Sequence, residues 1–249
     1  MKTVSTFIFV HDQEIILDFN NKNRFKEFQD FKYVFLGDRP TDKIKNQENV
    51  IFAKNYEDNL EHYPKLTSYS GWYILWKYKL INTDYVNLFE YDLNYIKGVD
   101  KILKPTLNQN NDFIGYFPMS VDDPVYTKMS QYSKELIDSV YKKENINILD
   151  VIKSHKNKDR NLQWSSSSNS TWKTEKFYEF TEWLSNYVED IVKSDYCGHI
   201  HERSLSFYYL INNLKVLNTK NLMTHLQLNS HGTSPLPENR FNQLYNNLI

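Results

Sequence analysis

The chain has 249 residues, with 30 basic and 31 acidic side chains and a formal net charge of -1, so it lacks the basic footprint of a nucleic-acid-binding protein. Aromatic residues make up 16% of it and glycine occurs only six times, which argues for a packed core rather than a disordered chain and against a glycine-rich phosphate loop. The single cysteine, Cys197, excludes an intrachain disulfide and fits a reducing compartment.

In chain order, Thr6 to Val10 is a short apolar run expected as a first strand, ending at His11-Asp12. Its approach from Met1 lacks the long apolar core of a signal peptide. Glu14 to Phe19 is expected to be extended, and Phe25, Phe28 and Phe31 recur every three residues, which predicts a short helix over 24–31. Tyr33 to Leu36 is a second strand closed by the turn Gly37-Asp38-Arg39-Pro40, and Val50 to Ala53 a third. Leu66, Tyr69, Tyr73 and Trp76 give helical spacing over 66–80. Strand and helix alternate through this half, predicting an α/β fold with a mostly parallel central sheet flanked by helices.

Tyr85 to Phe89 is a buried strand that runs directly into Glu90 and Asp92. Residues two apart on an extended chain share a face, so both carboxylates are expected at one spot outside the strand end, where open α/β sheets bind ligands. Two hard oxygen donors there suit a divalent cation that also holds substrate phosphates; a solvated strand end is the plainer alternative.

Beyond it, 94–103 is expected as a short helix or loop and 112–118 as a strand. Helices are predicted over 133–141, 147–154, 175–193 and 202–213, with polar loop over 153–161, a connection over 196–200 and a late strand over 214–217. The segment 221–231 gives no clear pattern, and a packing helix is expected over 241–249. Four serines, Ser165 to Ser168, lie between Trp164 and Trp172. Small polar residues framed by two tryptophans suit a sugar site, and equally a plain serine loop. No apolar run reaches the 18 residues of a membrane span, so a cytoplasmic protein is expected, with room for peripheral contact at a membrane.

Three stretches carry a resemblance. Leu66 to Lys77, ending Tyr73-Ile74-Leu75-Trp76-Lys77, the strand from Asp84 to Asp92, and Ser168-Asn169-Ser170-Thr171-Trp172 continuing through 177–184 to Gly198–Phe207 with Glu202-Arg203, together resemble the GT-A class of nucleotide-sugar glycosyltransferases. Within it the chain is similar to small glycosyltransferase-like domains of bacterial surface-polysaccharide clusters and large DNA viruses. The acidic motif departs from the class, being Glu90-Tyr91-Asp92 rather than Asp-x-Asp.

The resemblance implies a single domain over 1–249, with a nucleotide-sugar-binding half over 1–118 and an acceptor-binding half over 119–249. It implies a nucleotide-diphosphate sugar donor, a glycan or lipid-linked acceptor, and Mn2+ or Mg2+ held by Asp92 with a late histidine, His225 or His231. Glu90 then contacts ribose or sugar; His11, Asp38, Arg39, Lys65 and Tyr69 are the further donor contacts, and Trp164 and Trp172 face the acceptor. Glu202 is the expected base of an inverting transfer, opening a helix beside Arg203. A catalytically inactive carbohydrate-binding or scaffold domain on the same fold is the competing reading.

Overall fold

Seven strands form the central sheet, and six of them run the same way. The computed structural model describes residues 2–18, 24–26, 28, 31–95, 98–99, 103, 106–121, 133–165, 167–219 and 222–225. The parallel core is β3 (Val50–Phe52), β2 (Phe31–Phe35), β1 (Val4–Val10) and β4 (Tyr85–Glu90), paired in that spatial order. A single reversed strand, β9 (Ser170–Lys173), then lies between β4 and β6 (Phe113–Gly115), and β10 (Val216–Asn218) closes the far edge parallel to β6. Two small antiparallel pairs flank the sheet: β5 (Leu93–Tyr95) with β11 (Met223–His225), and β7 (Pro118–Ser120) with β8 (Gln163–Ser165). The predicted mostly parallel α/β sheet is therefore what the chain forms.

The near-continuous apolar runs of β1 and β4 follow from a sheet covered on both faces. Phe7 and Phe9 of β1, with Val86 and Leu88 of β4, pack into one core; Ile8 and Val10, with Tyr85 and Phe89, pack into the other. The first core is covered by α2 (Ser68–Lys77), α5 (Thr174–Ser185) and α7 (Cys197–Ile211), with α3 (Lys134–Glu144) and α4 (Ile148–Lys158) beside them. A buried polar rung crosses the middle of the sheet. Asn87 donates to Thr6 Oγ1 at 3.0 Å and accepts from Thr171 Oγ1 at 2.6 Å, and Thr171 in turn meets the Tyr116 hydroxyl. Satisfied in this way, a buried amide fixes strand register rather than costing stability.

Several boundaries differ from expectation. Residues 13–17 form a helix, α1 (Gln13–Leu17), because the Asp12 side chain accepts the Glu14 amide at 3.0 Å and caps it. Phe31 belongs to β2, and much of 19–30 lies outside the described residues. The helix predicted over 175–193 is broken at Asn186-Tyr187 into α5 and the single turn α6 (Val188–Ile191). The expected loop over 153–161 is helical as far as Lys158, because Asn147 caps α4 and lysines close its last turn. The strand expected over 112–118 is two strands, β6 and β7. The helix expected over 241–249 lies outside the described residues.

Candidate active site

The crevice opens where β1, β2 and β4 end. It has a volume of about 390 Å³ and takes residues at or just beyond all three strand ends, His11, Gly37 with Arg39, and Glu90; Glu61 and Ser68 are also in its wall. Its back is the start of α2. That helix begins after Thr67, whose backbone lies at φ 52°, ψ -130°, and whose side chain makes no capping hydrogen bond. A threonine held at positive φ costs conformational energy and is characteristic of functional positions. The uncapped helix start leaves amide donors beside the crevice, an arrangement suited to anionic groups.

Glu90 is the best-defined group here. Its amide donates to Asn169 Oδ1 at 2.7 Å, and its carboxylate accepts from Ser168 Oγ at 3.2 Å. Burial pushes its pKa up to about 7; the Asp92 and Glu202 charges add to the rise, and hydrogen bonds from Ser68 and Ser168 oppose it. The serine run is thus neither surface nor flexible linker: Ser165, Ser167 and Ser168 are buried, and Ser168 joins β9 to the acid.

Asp92 is half-buried and follows the turn that leaves β4, so the two carboxylates are not successive same-face positions of one strand. Their charges still couple, and the Asp92 charge also reaches His11 and Arg24. Antiparallel pairing of β11 with β5 sets the backbone of His225 opposite Leu93, beside Asp92; His231 lies outside the described residues. Among the described residues no three His, Cys, Asp or Glu side chains stand together as a metal cage.

Glu202 comes from α7 and lies near enough for its charge to raise Glu90. The helix begins at Cys197, so Glu202 sits in its second turn rather than opening it. Its carboxylate is flanked by Arg203 Nη1 at 3.4 Å and His199 Nδ1 at 3.7 Å. Arg203 is itself buried, its guanidinium 4.4 Å from the centre of the Trp164 ring.

The remaining expected contacts divide. His11 lines the crevice 5.1 Å from the Tyr91 ring; burial and then the Arg39 guanidinium hold its pKa below the ordinary value, against the charges of Asp12 and Asp92. Arg39 also lines the crevice and pairs with Asp12 at 2.9 Å. Asp38 is exposed beside it, and Lys65 is exposed and paired with Asp195 at 3.0 Å. Tyr69 is different: it is wholly buried, and its hydroxyl donates to the Thr181 carbonyl at 3.1 Å, on the core side of α2. Trp164 and Trp172 have no exposed surface, and Trp172 stacks on Phe180 at 5.1 Å. Neither ring presents a face to solvent on which an acceptor sugar would stack; their size and apolarity went into the core.

Glu61 is a site residue that the sequence did not signal. It accepts the Gly37 amide, and burial raises its pKa, opposed by the Gly37 and Ser70 hydrogen bonds. In sequence it stands in a polar stretch indistinguishable from surface.

This architecture, a mostly parallel sheet with a crevice at its strand ends, is GT-A-like. Its solved likenesses include the apo structure of the WbbM bifunctional glycosyltransferase, with a TM-score of 0.59 at 14% identity; the match covers 95% of this chain and 48% of that one. The chain thus spans about half the length of that protein. Weaker likenesses are the Saccharomyces cerevisiae mannosyltransferase Ktr4p, at TM-score 0.48 and 11% identity over 90% of this chain and 70% of that one, and the galactosyltransferase LgtC, solved with donor and acceptor sugar analogues, at 0.49 and 8% over 98% and 95%. No family model matches the chain, and no curated protein matches it in sequence.

Proposed function

We propose that this protein is a glycosyltransferase that moves a sugar from a nucleoside-diphosphate donor to a hydroxyl of a glycan or lipid-linked acceptor. One observation carries the reading: the GT-A-like sheet opens, at the carboxyl ends of β1, β2 and β4, into a crevice lined by residues 9–90 and closed by the start of α2. Such a switch point, with the start of a helix at its back, suits a nucleotide and its diphosphate. The likeness of the fold to the WbbM glycosyltransferase supports the same reading. On this assignment His11 and Arg39 face the donor, with Asp38 on the crevice rim as reader of the base, and Glu90 contacts ribose or sugar. Residues 119–249 form the acceptor half.

The carboxylates of Asp92 and Glu202, whose charges reach the buried Glu90, suit a divalent cation, Mn2+ or Mg2+, shared between Asp92 and the donor diphosphate rather than caged by protein alone. Such an ion would stabilise the charge that develops on the leaving diphosphate. His225 or His231 is the further ligand in this scheme.

Glu202 is the base of an inverting transfer. Arg203 and His199 both approach its Oε2, and its charge reaches Glu90; on this assignment an acceptor hydroxyl there gives up its proton to it. Glu202→Gln keeps the shape and removes the base. Transfer by that variant is expected to fall by at least about a hundredfold, with donor affinity retained; unchanged transfer would remove the assignment. A domain that only binds carbohydrate would show no thermal shift with Mn2+ and a nucleoside diphosphate, whereas the transferase reading requires one.

A further inference from the structure

A second cavity, of about 410 Å³, lies at the far edge of the sheet between β8, β10, α4 and the end of α7. Its chemistry is distinctive. Four amide side chains, Asn161, Gln163, Asn213 and Asn218, line it, and apolar surface comes from Leu214 with the Tyr209 ring beside it. No lysine or arginine lines it; its ionisable groups are Asp159 and His155, whose Nε2 bonds the Leu210 carbonyl at 2.9 Å, so a phosphate or other anion meets a carboxylate there rather than a lysine or arginine. Asn161 and Asn213 are exposed to solvent and Gln163 is half-buried, whereas Asn218 Oδ1 is buried without a partner among the described residues. Asn218 is seated close against the backbone, since a Cβ on Gly115 would lie 2.6 Å from that oxygen.

Amides, each both donor and acceptor, match the paired hydroxyls of an uncharged sugar, while the leucine and tyrosine surface suits its C–H face. A buried carbonyl oxygen without a partner is costly unless something donates to it. Position points the same way. Asn218 pairs with Gly115, Gly115 with Ser170, and Ser170 with Leu88 of β4. Three strand spacings therefore separate the cavity from the strand that ends in Glu90, about 14 Å. Asn218, at the carboxyl end of β10, is level with Leu88, two residues before Glu90, whereas Asn213 and Leu214 precede β10, so the cavity runs along the length of that edge strand.

We propose that this edge cavity is a subsite for a neutral oligosaccharide, holding the acceptor chain at a distance from the sugar that reacts. The proposal rests on the sugar-transfer reading for the identity of its ligand. It adds a consequence: the protein distinguishes acceptors by length, because only a chain of several sugars fills both places.

The test uses the whole chain and the double variant Asn161→Ala/Gln163→Ala, whose residues lie outside the crevice. Binding of neutral gluco-, manno- and galacto-oligosaccharides, from di- to pentasaccharide, is followed by titration calorimetry. Donor hydrolysis without acceptor is measured in parallel. The expected result is that one series binds more tightly with length, that the double variant loses about tenfold on the longer members, as two lost neutral hydrogen bonds imply, and that its donor hydrolysis and melting temperature match the parent. Equal affinity of parent and double variant for every oligosaccharide, or no binding of any series by a parent that hydrolyses donor, overturns the subsite. Length-dependent binding that the double variant loses, in a parent that hydrolyses no donor, upholds the subsite and removes the transferase reading instead.

Discussion

Glu90 is held close to the midpoint of its ionisation at neutral pH, and that makes it a measurable group. Its folded pKa, about 7, stands above the ordinary 4.5, so folding favours the protonated acid. The corresponding stability is fully present below about pH 4.5 and is lost as pH rises through about 7. Glu90→Gln holds the neutral shape at every pH. Urea unfolding should therefore show the variant more stable than the parent at pH 8, by up to about 3 kcal/mol, with the two nearly equal at pH 4.5. An advantage independent of pH would mean that Glu90 is not desolvated as described. A bound cation would reverse the balance by favouring the carboxylate, so Mn2+ affinity should rise with pH across the same range. Glu90 and Asp92 were visible in the sequence because they interrupt a run of buried residues at the end of a strand. Glu61 and Ser68 were not: a lone acid in a polar stretch and a serine in a helix gain their meaning only from what the fold sets opposite them. The tryptophans misled for a related reason, since an aromatic residue gives the same signal for a core as for a sugar platform, and Trp164 and Trp172 are wholly buried.

At the scale of the element, α2 matters most, because its first turn walls the crevice and its body packs on the sheet. Gly71 permits that approach: a Cβ there would lie 2.5 Å from Phe9 Cε1 and 3.1 Å from Val34 Cγ1. Gly71→Ala must displace the buried Phe9 ring or the helix itself, and should cost about 1–3 kcal/mol as overpacking does, read as a lower midpoint in urea. A variant as stable as the parent would show that the contact is looser than described. The helix was legible from its spacing of Tyr69, Tyr73 and Trp76. The start of α7 was not, because Gly198 signals a break; here it is tolerated inside the helix, with the Lys65 carbonyl 3.5 Å from the position of its missing Cβ. Likewise α1 was taken for extended chain because the cap that starts it is a single aspartate, Asp12, at the end of a strand.

For the whole molecule, the alternation of strand and helix through residues 1–90 announced the parallel sheet, and the four parallel strands on one side of it, from β4 out to the edge strand β3, come from that stretch. The other edge was less legible. β6, β9 and β10 have three, four and three residues, too short for a period of two to stand out, and the reversed direction of β9 depends on a partner far away in sequence. No helix among the described residues is long and apolar enough to cross a membrane. The central claim is that the crevice beside Glu90 grips a nucleotide sugar. Its most direct test is hydrolysis of UDP-, GDP- and dTDP-sugars by the purified protein, with and without Mn2+. The account predicts that one donor is cleaved, faster with the metal, and that Glu90→Gln slows the reaction; failure to cleave or bind any of them under either condition would contradict it.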